Sequence, residues 1–185
     1  MPDLQRINIR LPAPRYLGRQ LHFLTLCFHQ RRHYGSNQRL AGWLIYELRK
    51  QTAACGFLGH AHCVMPDHLH FLTAGSSESS NLLKLVMRFK QITGSDFARE
   101  KNRILWQFKF YDHILRGEDS ADRVAWYIWS NPVRAGLCPT PTDYPFLGSF
   151  TQMGARLLMG AAPQQWTPPW KDATPLEHAS AKMPS

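Results

Sequence analysis

The stretch G-H-A-H-C-V-M-P-D-H-L-H-F-L at residues 59–72 constrains the fold more than any other. Polar and apolar residues alternate there, the pattern of strands with two unlike faces. Proline removes a ladder donor and suits a turn. The pattern therefore reads as strands over 57–65 and 68–74, joined by a hairpin-like break at Pro66-Asp67. In the second strand His68 and His70 point to one face, and Leu69 and Phe71 to the other. The apolar pair is expected under helices, which leaves the histidine face open to a substrate. His60 and His62 repeat the spacing on the preceding strand. All four histidines have even numbers, but a turn can reset which face the even positions occupy. Shared parity alone does not make a four-histidine site.

The flanking segments supply the rest of a small sheet protein. Residues 21–28, L-H-F-L-T-L-C-F, carry no breaker and read as a first strand. Leu40, Trp43, Leu44 and Leu48 recur at helical spacing within 38–54, with Gly56 as a stop. Leu82, Leu83, Val86, Phe89 and Ile92 predict a second helix over 80–93. Residues 106–115, W-Q-F-K-F-Y-D-H-I-L, alternate enough for a fourth strand. Asp119 or Ser120 can cap a third helix running to about Ser130. The first six elements match the ferredoxin-like split βαββαβ unit. The expected fold class is α+β: an antiparallel ferredoxin-like sheet with an added C-terminal helix. A chain of 185 residues, 44% hydrophobic, is long enough for one domain with its own core. The sequence divides into a basic arm at 1–20, a folded domain at 21–150, and a Pro/Ala-rich tail at 151–185. The tail is expected to be largely disordered, with Trp166 and Trp170 able to anchor part of it.

Charge narrows the partners. The formal net charge is +9, and nucleic acid is the commonest polyanion for such a chain, because each phosphate contact releases counterions. Candidate phosphate contacts are Lys84, Arg88, Lys90, Lys109 and Arg116, with Arg6, Arg10, Arg15 and Arg19 in the N-terminal arm. Trp106, Phe110 and Tyr111 could stack on unpaired bases, although core packing is the commoner role. No apolar run approaches the roughly 20 residues of a membrane helix, and residues 1–20 lack the apolar stretch of a secretory signal. The expected location is the cytoplasm. Cys27, Cys55, Cys63 and Cys138 form no C-x-x-C pair, so free thiols in or near the core are expected rather than thiolate zinc ligands. There is no G-x-x-x-x-G-K-[ST] loop for a nucleoside triphosphate.

Two imidazoles about 7 Å apart along one strand can converge on a divalent ion. They lack a third ligand and a reacting group, and V-A-W-Y-I-W-S-N-P offers both. Tyr127 and Asn131 stand at i and i+4, one turn apart on a helical face. The asparagine oxygen can complete a two-nitrogen, one-oxygen set, which suits Mg²⁺ or Mn²⁺. The tyrosine would be a nucleophile toward a phosphate held at the metal. Pro132 disfavours helical geometry at Asn131, so the helix is expected to end there.

Four ordered segments carry a family resemblance: C-V-M-P-D-H-L-H-F-L, F-Y-D-H-I-L-R, Y-I-W-S-N-P-V-R-A-G-L and D-Y-P-F-L-G-S. Together they resemble the REP-associated tyrosine transposases, of the IS200-like single-tyrosine HUH group, over about Leu21 to Phe150. The resemblance implies that His68 and His70 are the metal-binding pair and Tyr127 is the nucleophile. It implies that Asn131 is the third ligand, a position that is glutamine in some relatives. It also implies cleavage and rejoining of single-stranded DNA at REP hairpins through a 5′-phosphotyrosine, as an endonuclease and strand transferase in DNA transposition. His62 stands where relatives usually carry an aromatic residue, which argues for packing, and His60 has no catalytic counterpart. Some IS200-like relatives are dimers with shared sites; for this chain homodimer and monomer stay open.

Other readings compete. A non-catalytic nucleic-acid-binding module on the same sheet would explain the charge and the aromatics. A domesticated nuclease that processes chromosomal repeats would keep the same site. Tyr111 is a rival nucleophile, disfavoured by its place in a predicted strand with no ligand-type residue one helical turn away. A histidine-triad hydrolase would need a third alternating histidine, and position 72 is Leu72.

Overall fold

The computed structural model describes residues 13–116 and 120–152, together with Pro163, Trp166 and Thr167. The elements run β1 (Leu21–Cys27), α1 (Gln38–Ala54), β2 (Phe57–Val64), β3 (His68–Gly75), α2 (Leu82–Lys101), β4 (Tyr111–Ile114), α3 (Ala121–Trp129), α4 (Asn131–Arg134) and β5 (Leu147–Gly148). All named strand pairs are antiparallel, in the order β4-β1-β3-β2-β5. The first four strands form the expected ferredoxin-like sheet, and β5 is added at the β2 edge.

Both long helices start on an asparagine whose side chain accepts a backbone N–H: Asn37 from Leu40 at 2.9 Å and Asn81 from Lys84 at 3.1 Å. Gly56, at φ +69°, makes the left-handed turn from α1 into β2. The second helix extends eight residues beyond the expected end at 93, to Lys101, because Thr93 and Phe97 continue its buried stripe. The expected strand over 106–115 is only β4 plus an isolated bridge between Phe28 and Trp106. Trp106 breaks the alternation by packing against Phe28, with ring centroids 4.9 Å apart.

Residues directly opposite in an antiparallel pair share a face. Leu24, Leu26, Leu69, Phe71 and Val64 form one core with Leu44 and Leu48 of α1 and with Leu85, Val86 and Phe89 of α2. Phe23, Leu72, Ala61 and Cys63 form a second core with Val124, Ala125, Ile128 and Trp129 of α3. The sheet thus lies between two helices on one side and α3 on the other. The histidine face is therefore covered, not open. Amphipathic α3 needs an apolar surface, and Phe23, Ala61, Cys63 and Leu72 supply it beside the histidines.

Part of the N-terminal arm is packed on the body. Tyr16 is buried and donates to Asp112, and Leu17 bridges Asn81. Arg6 and Arg10, Asp119, Trp170 and most of the tail lie outside the described residues. Among the described residues, no helix is long and apolar enough to cross a membrane.

Candidate active site

The β2–β3 turn is clamped from outside. Phe28 N donates to Asp67 O at 3.0 Å and Gly35 N to Pro66 O at 2.8 Å. A Cβ on Gly35 would meet Met65 O at 2.1 Å, so only glycine permits this approach. Arg31, itself at φ 55°, reaches Asp67 Oδ2 at 3.0 Å. The other Asp67 oxygen lies 2.5 Å from His68 Nδ1. The turn residue thereby sets the orientation of the first histidine.

The second histidine is held from β1. His70 lies opposite Thr25, whose Oγ1 is 2.9 Å from His70 Nδ1. With both Nδ1 atoms engaged, the two Nε2 atoms face each other at 3.0 Å. With both Nδ1 atoms protonated the two Nε2 lone pairs repel unless a cation lies near both; with His70 protonated on Nε2 the contact is a hydrogen bond. Burial pushes both histidines below the usual imidazole range, although Asp67 pulls His68 back up. Neutral imidazoles with Nδ1 partners and converging Nε2 atoms are what a divalent ion requires. Among the described residues, no group of three His, Cys, Asp or Glu side chains could hold a metal alone. Among the described residues, a third protein ligand would be of another type.

Helix α3 lays Tyr127 over this pair. The Tyr127 ring centroid is 6.3 Å from that of His70 and 6.2 Å from that of Phe23. Burial raises the phenol pKa, while the Arg134 guanidinium lowers it by charge and by a hydrogen bond. Trp129 Nε1 donates to Gly148 O at 3.0 Å, tying α3 to β5. Tyr144 Oη donates to Val64 O at 2.8 Å, so D-Y-P-F-L-G-S fastens the added strand to β2.

Asn131 sits where α3 gives way to α4. Pro132 starts the new helix, where its missing N–H costs nothing; Asn131 is thus helical after all. Its Nδ2 donates to Tyr127 O at 3.0 Å and Ile128 O at 3.2 Å. Its Oδ1 accepts no hydrogen bond among the described residues, but no contact joins it to the histidines.

The second His-x-His pair diverges. A bulge between Gly59 and Ala61 displaces His60 from the ladder. His62 then lies opposite Phe71, and Cys63 opposite His70. His62 therefore faces away from the metal-type pair and stacks on Phe150 at 4.6 Å. It packs there as an aromatic ring, the role its sequence context predicts. Burial lowers its pKa to about 4.

Tyr111 shares the histidine face, opposite Thr25, and its ring contacts Phe23 at 6.5 Å. Burial and Asp112 push its phenol to about 12. Cys27, Cys55, Cys63 and Cys138 are all free thiols.

The basic candidates separate. Lys84, Arg88, Lys109, Arg15 and Arg116 are exposed. Arg19 is exposed and pairs with Glu78 at 3.2 Å. Lys90 is structural, donating to Gln107 O at 2.6 Å and Phe108 O at 2.9 Å. Among the aromatics, Trp106 and Phe110 belong to the core. Phe108 is 90% exposed, on the loop that Lys90 clamps, and sequence reasoning passed over it. Arg134 was missed too, and Trp166 was expected only to anchor part of the tail. The Trp166 ring packs on Tyr127 at 5.1 Å and on Phe23 at 5.8 Å. No local pattern marks these contacts; only Arg134, one helical turn past Asn131, carried a signal.

No protein-family model matches the chain. In sequence it is similar to a Haemophilus influenzae protein named "Putative REP-associated tyrosine transposase", at 25% identity over 117 residues. The match covers 57% of this chain and 64% of that protein, so the chain spans under two thirds of the relative's length. In structure it is similar to a REP-associated tyrosine transposase solved bound to a REP hairpin. That likeness has a TM-score of 0.59 at 21% identity and covers 80% of this chain and 82% of the other. It shows that the two share a fold.

Proposed function

We propose that this protein is a REP-associated tyrosine transposase of the HUH single-tyrosine type. It would bind single-stranded DNA hairpins, cleave beside them and rejoin the ends. The observation that carries the reading is the Tyr127 ring beside His70, whose Nε2 meets that of His68 at 3.0 Å. A phenol, two converging imidazoles and an asparagine oxygen within one helix turn of the phenol are the parts this chemistry needs. Both similar proteins carry the transposase name, and the solved one was bound to a REP hairpin.

His68, His70 and Asn131 would hold Mg²⁺ or Mn²⁺, which supplies Lewis-acid polarisation of the scissile phosphate. Tyr127 Oη forms the new bond to phosphorus and gives up its proton. The bond from phosphorus to the 3′ oxygen breaks, and that oxygen leaves as a 3′-hydroxyl after taking a proton. The 5′-phosphotyrosine keeps the bond energy, so another 3′-hydroxyl can reverse the step and join strands. Asp67 and Thr25 keep the imidazoles oriented. Exposed Lys84, Arg88 and Lys109 are available to DNA phosphates, and Phe108 to an unpaired base.

A non-catalytic hairpin-binding module is the second reading, favoured by the exposed Phe108 beside Lys109. One experiment separates them. Wild type with a REP-type hairpin and Mn²⁺ should give a denaturation-resistant protein–DNA adduct, and Tyr127→Phe should bind the hairpin without forming it. Binding without an adduct in the wild type would leave only the second reading.

A further inference from the structure

We propose that Arg134 is a catalytic residue that grips the scissile phosphodiester and holds Tyr127 against it. The proposal rests on the reading of Tyr127 as nucleophile. Arg134 ends α4, and its guanidinium carbon lies 4.3 Å from the Tyr127 ring centroid. Its Nη2 donates to the Tyr127 carbonyl at 3.0 Å. These two contacts fix the ring from its face and the backbone from behind. The Tyr127 ring on which the guanidinium lies is itself 6.3 Å from that of His70.

Among the described residues the charge has no counter-anion. Arg19, Arg31, Arg99 and Lys101 each meet a carboxylate, on Glu78, Asp67, Asp96 and Glu100. Among the described residues no carboxylate meets Arg134. A guanidinium lying on an aromatic face and, among the described residues, lacking an acid partner is a prepared anion site. Its planar fork matches two oxygens of a phosphodiester. Phosphorus gains negative charge as Tyr127 Oη bonds to it, and a fixed cation at that point favours the transition state. Arg134 stays protonated throughout and transfers nothing.

A helix-capping arginine would also sit in the last turn of α4, so the test must separate phosphate binding from folding. Hairpin oligonucleotides carry one methylphosphonate, walked through the flanking single strand. Binding is measured in the Tyr127→Phe background, which cannot cleave. There, Arg134→Gln should weaken binding to the all-phosphate hairpin about tenfold. At one methylphosphonate position the two proteins should bind equally, and Arg134→Lys should recover part of the loss. With Tyr127 present, Arg134→Gln should slow adduct formation by about 10²–10³-fold, with Mn²⁺ binding unchanged. Equal losses at every methylphosphonate position, or none anywhere, would overturn the proposal. An adduct that forms at the wild-type rate in Arg134→Gln overturns it as well and leaves the nucleophile reading standing. A position-specific binding loss with no wild-type adduct keeps the phosphate contact and removes the nucleophile.

Discussion

The Nε2 atoms of His68 and His70 face each other at 3.0 Å, while Asp67 and Thr25 hold the two Nδ1 atoms from behind. The arrangement ties the site to two elements outside β3: its own preceding turn and the neighbouring strand. His68→Ala or His70→Ala is expected to abolish Mn²⁺ binding, read by water-proton relaxation, and to stop cleavage. Thr25→Val and Asp67→Asn remove only the supporting partner and should weaken Mn²⁺ about 10–100-fold. Unchanged affinity in both supporting variants would mean that the Nδ1 contacts do not orient the rings.

Tyr127 and Tyr111 both face Phe23, and the Tyr127 ring lies 6.3 Å from that of His70, one helical turn from Asn131. Tyr111→Phe should therefore keep adduct formation within about threefold of wild type, a change of under 1 kcal/mol in the barrier. Mass spectrometry of the trapped adduct should place the phosphate on Tyr127. Finding it on Tyr111 would reassign the nucleophile.

His62 stacks on Phe150, on the face opposite His70. His62→Ala should leave Mn²⁺ affinity unchanged and cleavage intact, while lowering stability by about 2–4 kcal/mol through the cavity it leaves. Urea unfolding and the cleavage assay check this together. Loss of metal binding in a variant that still melts cooperatively would place His62 in the site.

Stability should fall in mild acid. Burial lowers both His22 and His62 from 6.5 to about 4 in the folded protein. Between those values the unfolded chain binds more protons, so stability rises with pH there and is fully present above about 6.5. Each group accounts for about 3 kcal/mol, lost as pH falls from about 6.5 to 4. Urea midpoints from pH 7.5 to 4.5 measure the slope. His62→Phe, which keeps the stacking, should flatten it by up to about 1.4 kcal/mol per pH unit.

Phe108 stands on a loop that Lys90 fixes through two carbonyls. Phe108→Ala should weaken binding of a hairpin with single-stranded flanks by about 1–3 kcal/mol. It should leave a blunt hairpin unaffected, a contrast that fluorescence anisotropy resolves.

Much of the fold could be read before any coordinates. Alternation around Pro66-Asp67 located β2 and β3, and the apolar stripe of 38–54 matched α1 to the residue. What escaped were elements whose reason lies elsewhere in the chain. Two-residue β5 exists because β2 offers an open edge, Tyr144 and Trp129 fasten it, and nothing in Leu147-Gly148 alone says strand. The short β4 and the buried Trp106 likewise follow from packing against β1 and Phe28 rather than from alternation.

The site divides the same way. The sequence by itself determined that His68 and His70 share a face, because strand geometry has a period of two, and that Tyr127 and Asn131 lie within one helical turn. It could not decide which face carries His62, because that depends on the turn: Val64 pairs with Leu69, so His62 falls opposite Phe71, and the Gly59–Ala61 bulge shifts only the positions before it. Nor could it bring Tyr127 to His70, or Arg134 and Trp166 to Tyr127. The histidine and tyrosine segments are far apart in the chain, and only α3, docking its apolar face on Phe23, Ala61, Cys63 and Leu72, brings them together. Burying that face excludes water, and the same burial places the phenol, the guanidinium and the paired imidazoles in one site.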